Sequence, residues 1–350
     1  MDKTELLKMI ETRCVVSNAD LSGMDLAGID LSEVFLENVD LQNAQMAGAI
    51  LTRAGLTNVD FTGADLSGAD LSETYSQKIN LTGANLSGST WTGAILGEAD
   101  LTRADLSRAD FTNVDAVGVV LCGAKLEGTI LLRADLSRAD LTGATITGSN
   151  LERVRLTGAT LSKATIRDCD FHKASLQKID LTGVAVTGAS FVMAHLEDAT
   201  LKALDLTGCD LTQAEFNRAD LTGAVLTDTK AYAASFIQAN CTGAVFRKAF
   251  LKGAGFQTCQ LGGADFSESN LVQARLQQAV APAAVFSKAN LARADFSHAD
   301  LTAADMTQCL VDSTNLHRIK DKDAKWNGVD MAQTLGTDPE RARAEDWKPS

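Results

Sequence analysis

One register organises this chain. Leu stands at 21, 26, 31, 36 and 41, Met at 46, Leu at 51 and 56, and Phe at 61, always five residues apart. The series runs to Leu316 without an inserted or deleted residue, which makes 60 consecutive five-residue units. Nearly all carry Leu, Phe, Ile, Met, Val or Trp at the fixed position. The exceptions are Ser76, Ala116, Ala231, Cys241 and Ala281. A second register lies two residues earlier and holds small residues such as Ala64, Ala69, Ala84 and Ala104, and once Leu204. Gly is common two residues after the large position, as at Gly63, Gly68, Gly83 and Gly88. Each unit reads small, polar, large apolar, polar, polar.

Internal repetition of this kind decides the architecture. A period of five fits neither the 3.6 spacing of an amphipathic helix nor the alternation of a half-buried strand. Two inward residues spaced by one, then a turn, describe a short extended side with a corner every five residues. Gly at the corner allows the positive φ that a tight turn often needs. Four such sides close a square coil of twenty residues. The pattern resembles the pentapeptide-repeat family, whose unit is Ala, then Asp or Asn, then Leu, then two variable residues. The resemblance covers residues 19 to 331. It implies an all-β solenoid, a right-handed quadrilateral β-helix of about 15–16 coils, with the large and small registers pointing inward and the other three positions outward. At the ~4.8 Å spacing of paired strands, such a coil stack would be roughly 70 Å long.

A solenoid has two open ends, and each calls for a cap. Residues 2–16 read as a short amphipathic helix with Leu6, Leu7, Ile10 and Cys14 available to cover the first coil, within a capping segment of residues 1–18. At the other end the register persists weakly through Ala324, Trp326, Val329 and Met331, with Trp326 as a plug. In the tail, residues 332–350, Asp338 reads as an N-cap with Pro339 at the first helical position.

No stretch is long or apolar enough to span a bilayer, and no signal peptide is visible at Met1. Cys169, Cys209, Cys259 and Cys309 occupy the small inward register and Cys241 the large one. They read as buried free thiols in a reducing, cytoplasmic setting; secretion without a cleavable signal is compatible with the same sequence. No Cys-x-x-Cys occurs, and no metal or cofactor is expected. The four histidines, His172, His195, His298 and His317, sit at scattered outward positions, and no phosphate-binding loop appears. Carboxylates on a convex surface have no cleft to desolvate them. The chain reads as a non-enzymatic protein.

The outward positions carry three candidate surfaces. An acidic stripe runs through Asp20, Asp40, Asp60, Asp100, Asp140 and Asp180, one above another every twenty residues and broken by neutral ones. It serves either as local turn capping or as a track facing a ligand. A basic patch comprises Arg133, Arg153, Arg155 and Lys173. An apolar patch comprises Tyr232, Phe250, Val225, Val245 and Ile237, with further single apolar residues at Phe35, Ile50, Tyr75, Ile95, Ile130, Leu132, Met193 and Leu310.

Charge is uneven. Residues 21–160 hold 18 acidic and 9 basic side chains, and residues 161–320 hold 16 and 15. An acidic surface disfavours direct nucleic-acid binding. The expectation is therefore a scaffold or adaptor that binds protein partners, with no membrane span, and with oligomers forming only through the end caps or the tail. The family resemblance adds bacterial secretion and effector systems as settings. It also implies an alternative, since some members imitate duplex DNA and occupy the DNA-binding groove of DNA gyrase. DNA carries about 20 charges in ~34 Å, so the acidic N-terminal half fits that role only partly.

Overall fold

Most of the corners, which recur every five residues, are hydrogen-bonded turns. The carbonyl of Leu41 accepts from the Ala44 N–H at 3.1 Å, and Asn43 between them has φ 55°. Leu221, Ala224 and Gly223, with a 3.0 Å bond and φ 66°, repeat the geometry far along the chain. The left-handed residue is the one after which the chain changes direction, so Gly and Asn suit it. Many corners nevertheless carry Arg, Lys, Gln or Glu there. Their long side chains leave the surface at the corner, and the turn tolerates the cost because both of its flanks are held by neighbouring coils.

Those flanks are bonded in parallel to residues twenty positions away. In the first unit, Met1–Ile179, the N–H of Leu41 donates to the Asp60 carbonyl at 2.7 Å, and the Asp60 N–H returns to the Val39 carbonyl at 3.0 Å. In the second unit, Asp180–Ser350, Phe236 donates to Gly255 at 2.6 Å, and Gly255 returns to Ala234 at 2.9 Å. Both units are thus right-register β-solenoids with twenty residues per turn. The computed structural model describes residues 1–12 and 15–347.

Most sides are single bridges. A few extend to three-residue strands. In the first unit β1 (Val16–Ser17), β2 (Phe35–Glu37), β3 (Gly55–Thr57) and β4 (Tyr75–Gln77) form one parallel ladder, and β5 (Lys125–Glu127), β6 (Thr145–Thr147) and β7 (Thr165–Arg167) another. The second unit opens with β8 (Ala185–Thr187). Every strand centre is an inward residue with its neighbours pointing out, as in Leu36 between exposed Phe35 and Glu37.

The two cores differ. The first is mainly Leu over Ala, with Trp91 stacked on Phe111 at 5.6 Å. The second holds two phenylalanine ladders. Phe216, Phe236 and Phe256 stack at 5.0 and 4.8 Å, and Phe246, Phe266 and Phe286 at 4.7 and 5.0 Å. The ladders meet edge to face, Phe246 against Phe256 at 5.7 Å. Both the stacked and the edge-on contact are favourable aromatic geometries. Spacing of twenty makes the ladder inevitable once Phe recurs in one column. The inward cysteines fall where the register put them, and burial pushes the Cys209 thiol up to about 11 and Cys309 to about 12.

The ends depart from the sequence expectation in detail. Helix α1 (Lys3–Glu11) is shorter than residues 2–16, with Asp2 accepting from the Glu5 N–H. Only Leu6 is buried; Leu7 is 43% exposed, because a nine-residue helix lays one turn of its apolar face on the coil. Cys14 lies outside the described residues. At the far end the turns continue to Val329, whose N–H reaches the Trp326 carbonyl at 3.2 Å. Trp326 is half-buried rather than a closed plug, and Met331 leaves the register in a 3-10 turn (Met331–Gln333), exposed. Helix α2 (Pro339–Asp346) follows, with Asp338 accepting from the N–H groups of Glu340 and Arg341.

One corner is poorly matched to its residue. Thr258 has φ 56° and is the only β-branched residue at a left-handed corner among those described. Branching at Cβ makes that conformation costly. Asn serves the same corner at Asn18, Asn38, Asn43, Asn58 and Asn113. Thr258→Asn should therefore stabilise the second unit by about 1 kcal/mol, read as a higher denaturant midpoint at unchanged slope.

Candidate functional site

The acidic stripe is first a set of turn caps. In each of its six residues Oδ1 accepts the backbone N–H two residues on: Ser22 to Asp20 at 3.0 Å, Gln42 to Asp40 at 2.9 Å, Thr62 to Asp60 at 2.9 Å, and likewise Thr102 to Asp100, Thr142 to Asp140 and Thr182 to Asp180. At Ser22, Thr62 and Thr142 the hydroxyl also donates to the same oxygen, at 2.6 Å. The bonds fix the corner N–H that the coil ladder leaves unpaired. One oxygen of each carboxylate is thereby committed and only the other faces outward. Hydroxyl and backbone donors hold Asp20, Asp140 and Asp300 below the usual carboxylate range. At Asp220 and Asp265 burial pushes upward, but the donors outweigh it.

The basic patch is thinner than the sequence suggests. Arg133, Arg153 and Lys173 occupy successive left-handed corners with φ 57°, 56° and 56°. Arg155 pairs with Asp135 at 3.3 Å, and Arg153 lies 3.7 Å from Glu152. Exposed pairs like these contribute ~0–1 kcal/mol each, and they leave Arg133 and Lys173 as the charges without an ion pair among the described residues.

The apolar patch divides. Tyr232 and Phe250 do meet, ring centroids 6.0 Å apart and tilted by 33°. Val225 and Val245 are bridged neighbours on the preceding side. Ile237 lies on the following side, its N–H bonded to Asn217 Oδ1 at 3.1 Å. The five residues therefore spread over three sides of the coil and form no single surface. A column in the first unit is more continuous. Phe35 pairs with Gly55, Gly55 with Tyr75, and Tyr75 with Ile95. Phe35 is 62% exposed, Tyr75 57% and Ile95 41%. The Phe35 ring lies down over Gly55, so close that a Cβ there would fall 2.4 Å from it. Their shared spacing of twenty is the sequence signal that joins them.

Three of the four histidines belong to side-chain groups. His317 is buried, and its Nε2 lies 3.1 Å from Glu345 Oε2 while its Nδ1 accepts the Asp338 N–H at 3.1 Å. The ring's other edge faces His298, centroids 5.3 Å apart. Glu345 also receives Arg341 at 2.8 Å, and Arg318 reaches Asp346 and the Ala342 carbonyl. These contacts dock α2 on the side of the second unit. The donors around it, His317 foremost, hold the Glu345 carboxyl at about 2. A second group joins His195, Glu197 and Glu215. Outward positions nineteen or twenty residues apart become neighbours on adjacent coils, a rule that pairs His298 with His317 and His195 with Glu215, whereas Glu345 on α2 lies outside the register.

A family model described as "Pentapeptide repeats" matches this chain in 8 copies, at residues 12–53, 40–75, 79–115, 117–153, 269–308 and 283–318. A second, "Pentapeptide repeat region", matches residues 149–226 and 209–280. No sequence among curated proteins matches. Among solved structures the chain is similar to HetL, a pentapeptide repeat protein involved in heterocyst differentiation regulation from the cyanobacterium Nostoc, with 22% identity over 97% of this chain and 98% of that one, TM-score 0.24. It is similar to full-length QnrB1, a plasmid-mediated fluoroquinolone resistance protein, with 19% identity over 64% of this chain and 94% of that one, TM-score 0.27. A pentapeptide repeat protein of the Arabidopsis thaliana thylakoid lumen shares 33% identity over 33% of this chain and 71% of its own, TM-score 0.16.

Two outcomes test the surface chemistry. Carboxylates whose folded pKa lies below the unfolded value add stability above the unfolded pKa, and it is lost as pH falls through the folded one. Asp20, Asp140 and Asp300 are lowered in this way, so the thermal midpoint should hold steady above about pH 5 and fall below about pH 4. Separately, Glu345→Gln should free α2. Amide exchange at residues 339–346 then rises while the ladder of residues 200–300 stays protected.

Proposed function

Because the chain belongs to the pentapeptide-repeat family, we propose that it is a non-enzymatic scaffold that holds a protein partner against the side of its solenoid. The observation that carries this reading is the exposed apolar column Phe35–Gly55–Tyr75–Ile95. Single exposed apolar residues need no explanation, but a run across four coils does. Aromatic anchors are the groups that concentrate binding energy in protein interfaces. Tyr232 and Phe250 contribute less to the reading, because each ring already covers part of the other.

The acidic stripe supports a DNA-mimicking role less well. Its carboxylates have one oxygen turned into the corner, and the column is interrupted by Asn80, Val120 and Thr160. The six described cysteines are free thiols, which suits a bacterial cytoplasm as the working compartment.

Capture from a lysate, compared across variants, tests the scaffold. Phe35→Ser/Tyr75→Ser should weaken the captured partner by more than tenfold, each anchor contributing over ~1 kcal/mol. Gly55→Ala should weaken it too by displacing the ring, and Tyr232→Ala/Phe250→Ala should leave it in place. Capture unchanged in the first variant removes the column from the proposal. Gyrase supercoiling should proceed unaffected at micromolar protein and low salt; inhibition there would transfer the reading to the acidic stripe.

A further inference from the structure

Across the repeats, Asp or Asn is the commonest residue before the large inward one, and there it caps its own corner. His195 is the only His and Glu215 the only Glu at that position between residues 20 and 315. They stand on consecutive coils of one column, bridged in parallel. Leu196 donates to the Glu215 carbonyl at 2.7 Å and the Glu215 N–H to the Ala194 carbonyl at 2.9 Å, so the backbone fixes their side chains side by side. Glu197, on the corner after Leu196, brings a second carboxylate to the same point. One nitrogen or oxygen from each of the three lies within 4.8 Å of the others.

We propose that His195, Glu197 and Glu215 form a binding site for a divalent first-row metal ion of the zinc class. The distances fit a shared ion as well as an imidazolium ion pair. His195 Nδ1 lies 3.6 Å from Glu197 Oε1 and 3.5 Å from Glu215 Oε2. Both are beyond the 2.7–3.2 Å of N–H···O hydrogen bonds. They match a tetrahedral ion, whose ligand atoms at ~2.1 Å bonds stand about 3.4 Å apart. One imidazole and two carboxylates are the nitrogen and oxygen donors that zinc accepts.

The charge balance points the same way. Glu197 Oε2 is buried without a hydrogen-bond partner. The nearby guanidinium of Arg218 is held in a two-point pair by Asp198, at 2.8 and 2.9 Å. A bound cation would balance the two carboxylates with His195 in its neutral, ligating form. Three protein ligands leave at least one position for water or for a donor from a partner.

The other histidine group in this unit is built differently. At His317 the Nδ1 atom faces a backbone N–H and must accept from it, so the hydrogen sits on Nε2 and is donated to Glu345. A ring fixed in that tautomer has no lone pair for a metal at Nε2, and Glu345 is already neutralised by Arg341 and Arg318. That group is a latch for α2.

Titration calorimetry of the full, tag-free, metal-stripped chain with zinc chloride tests the site, with cobalt chloride as a spectroscopic probe. The expected result is saturable binding of one ion per chain, and a cobalt spectrum with visible d–d bands and no thiolate charge-transfer band. His195→Ala and Glu215→Gln should each weaken binding by more than about tenfold, with circular dichroism unchanged since both side chains are partly exposed. His298→Ala should bind as the unaltered chain does. No saturable zinc binding, a thiolate band, or binding that survives His195→Ala but is lost in His298→Ala would each overturn the proposal.

Discussion

Everything in this chain depends on the parallel ladder that joins each residue to the one twenty positions later. The inward N–H of Leu41 meets the Asp60 carbonyl, that of Phe61 meets Asn80, and the pattern repeats without slipping. One inserted residue would rotate every later large side chain out of the core and every corner onto a side. That is why 60 units run without an indel while their outward residues vary freely. The constraint also explains the corners. A left-handed residue is unfavourable alone, yet Arg, Lys and Glu occupy many such positions, because the ladder on both flanks fixes the backbone whatever the side chain prefers.

The same geometry gives charge a structural job. On the outward face of a coil, a carboxylate bonds the backbone N–H of its own corner. Asp20 through Asp180 do so, and the net charge of −13 is in large part a by-product of that capping. Capping commits one oxygen of each carboxylate, and only the other is left to face outward. The positions that depart from capping are more informative. Phe35, Tyr75 and Ile95 place apolar groups where Asp would stand, and His195 and Glu215 place groups with other donors and reach.

The sequence made the fold legible almost completely, because a solenoid's long-range contacts are written as a fixed offset. Twenty residues replace the unknown pairings of a globular chain. The inward cysteines, the corner residues and the Asp338 cap all follow from that offset and from local turn chemistry. What escaped was of two kinds. The phenylalanine ladders and the Phe35–Tyr75 column needed the offset to be applied to side-chain type as well as to position. The docking of α2 on His317 and Arg318 could not be read at all, since a helix outside the register has no offset to place it.

The histidines show how far register alone reaches. Both groups bring an imidazole to a glutamate, yet one is closed and the other open, and the difference lies in a single backbone atom. At His317 the N–H of Asp338 fixes the tautomer, and the burial of that ring leaves it no alternative partner. At His195 no backbone N–H among the described residues fixes the ring, and the carboxylates beside it stand at 3.5 and 3.6 Å, close to ligand spacing. The offset of twenty identifies which side chains meet. What they do once they meet depends on the donors and acceptors that the adjoining backbone has left unmatched.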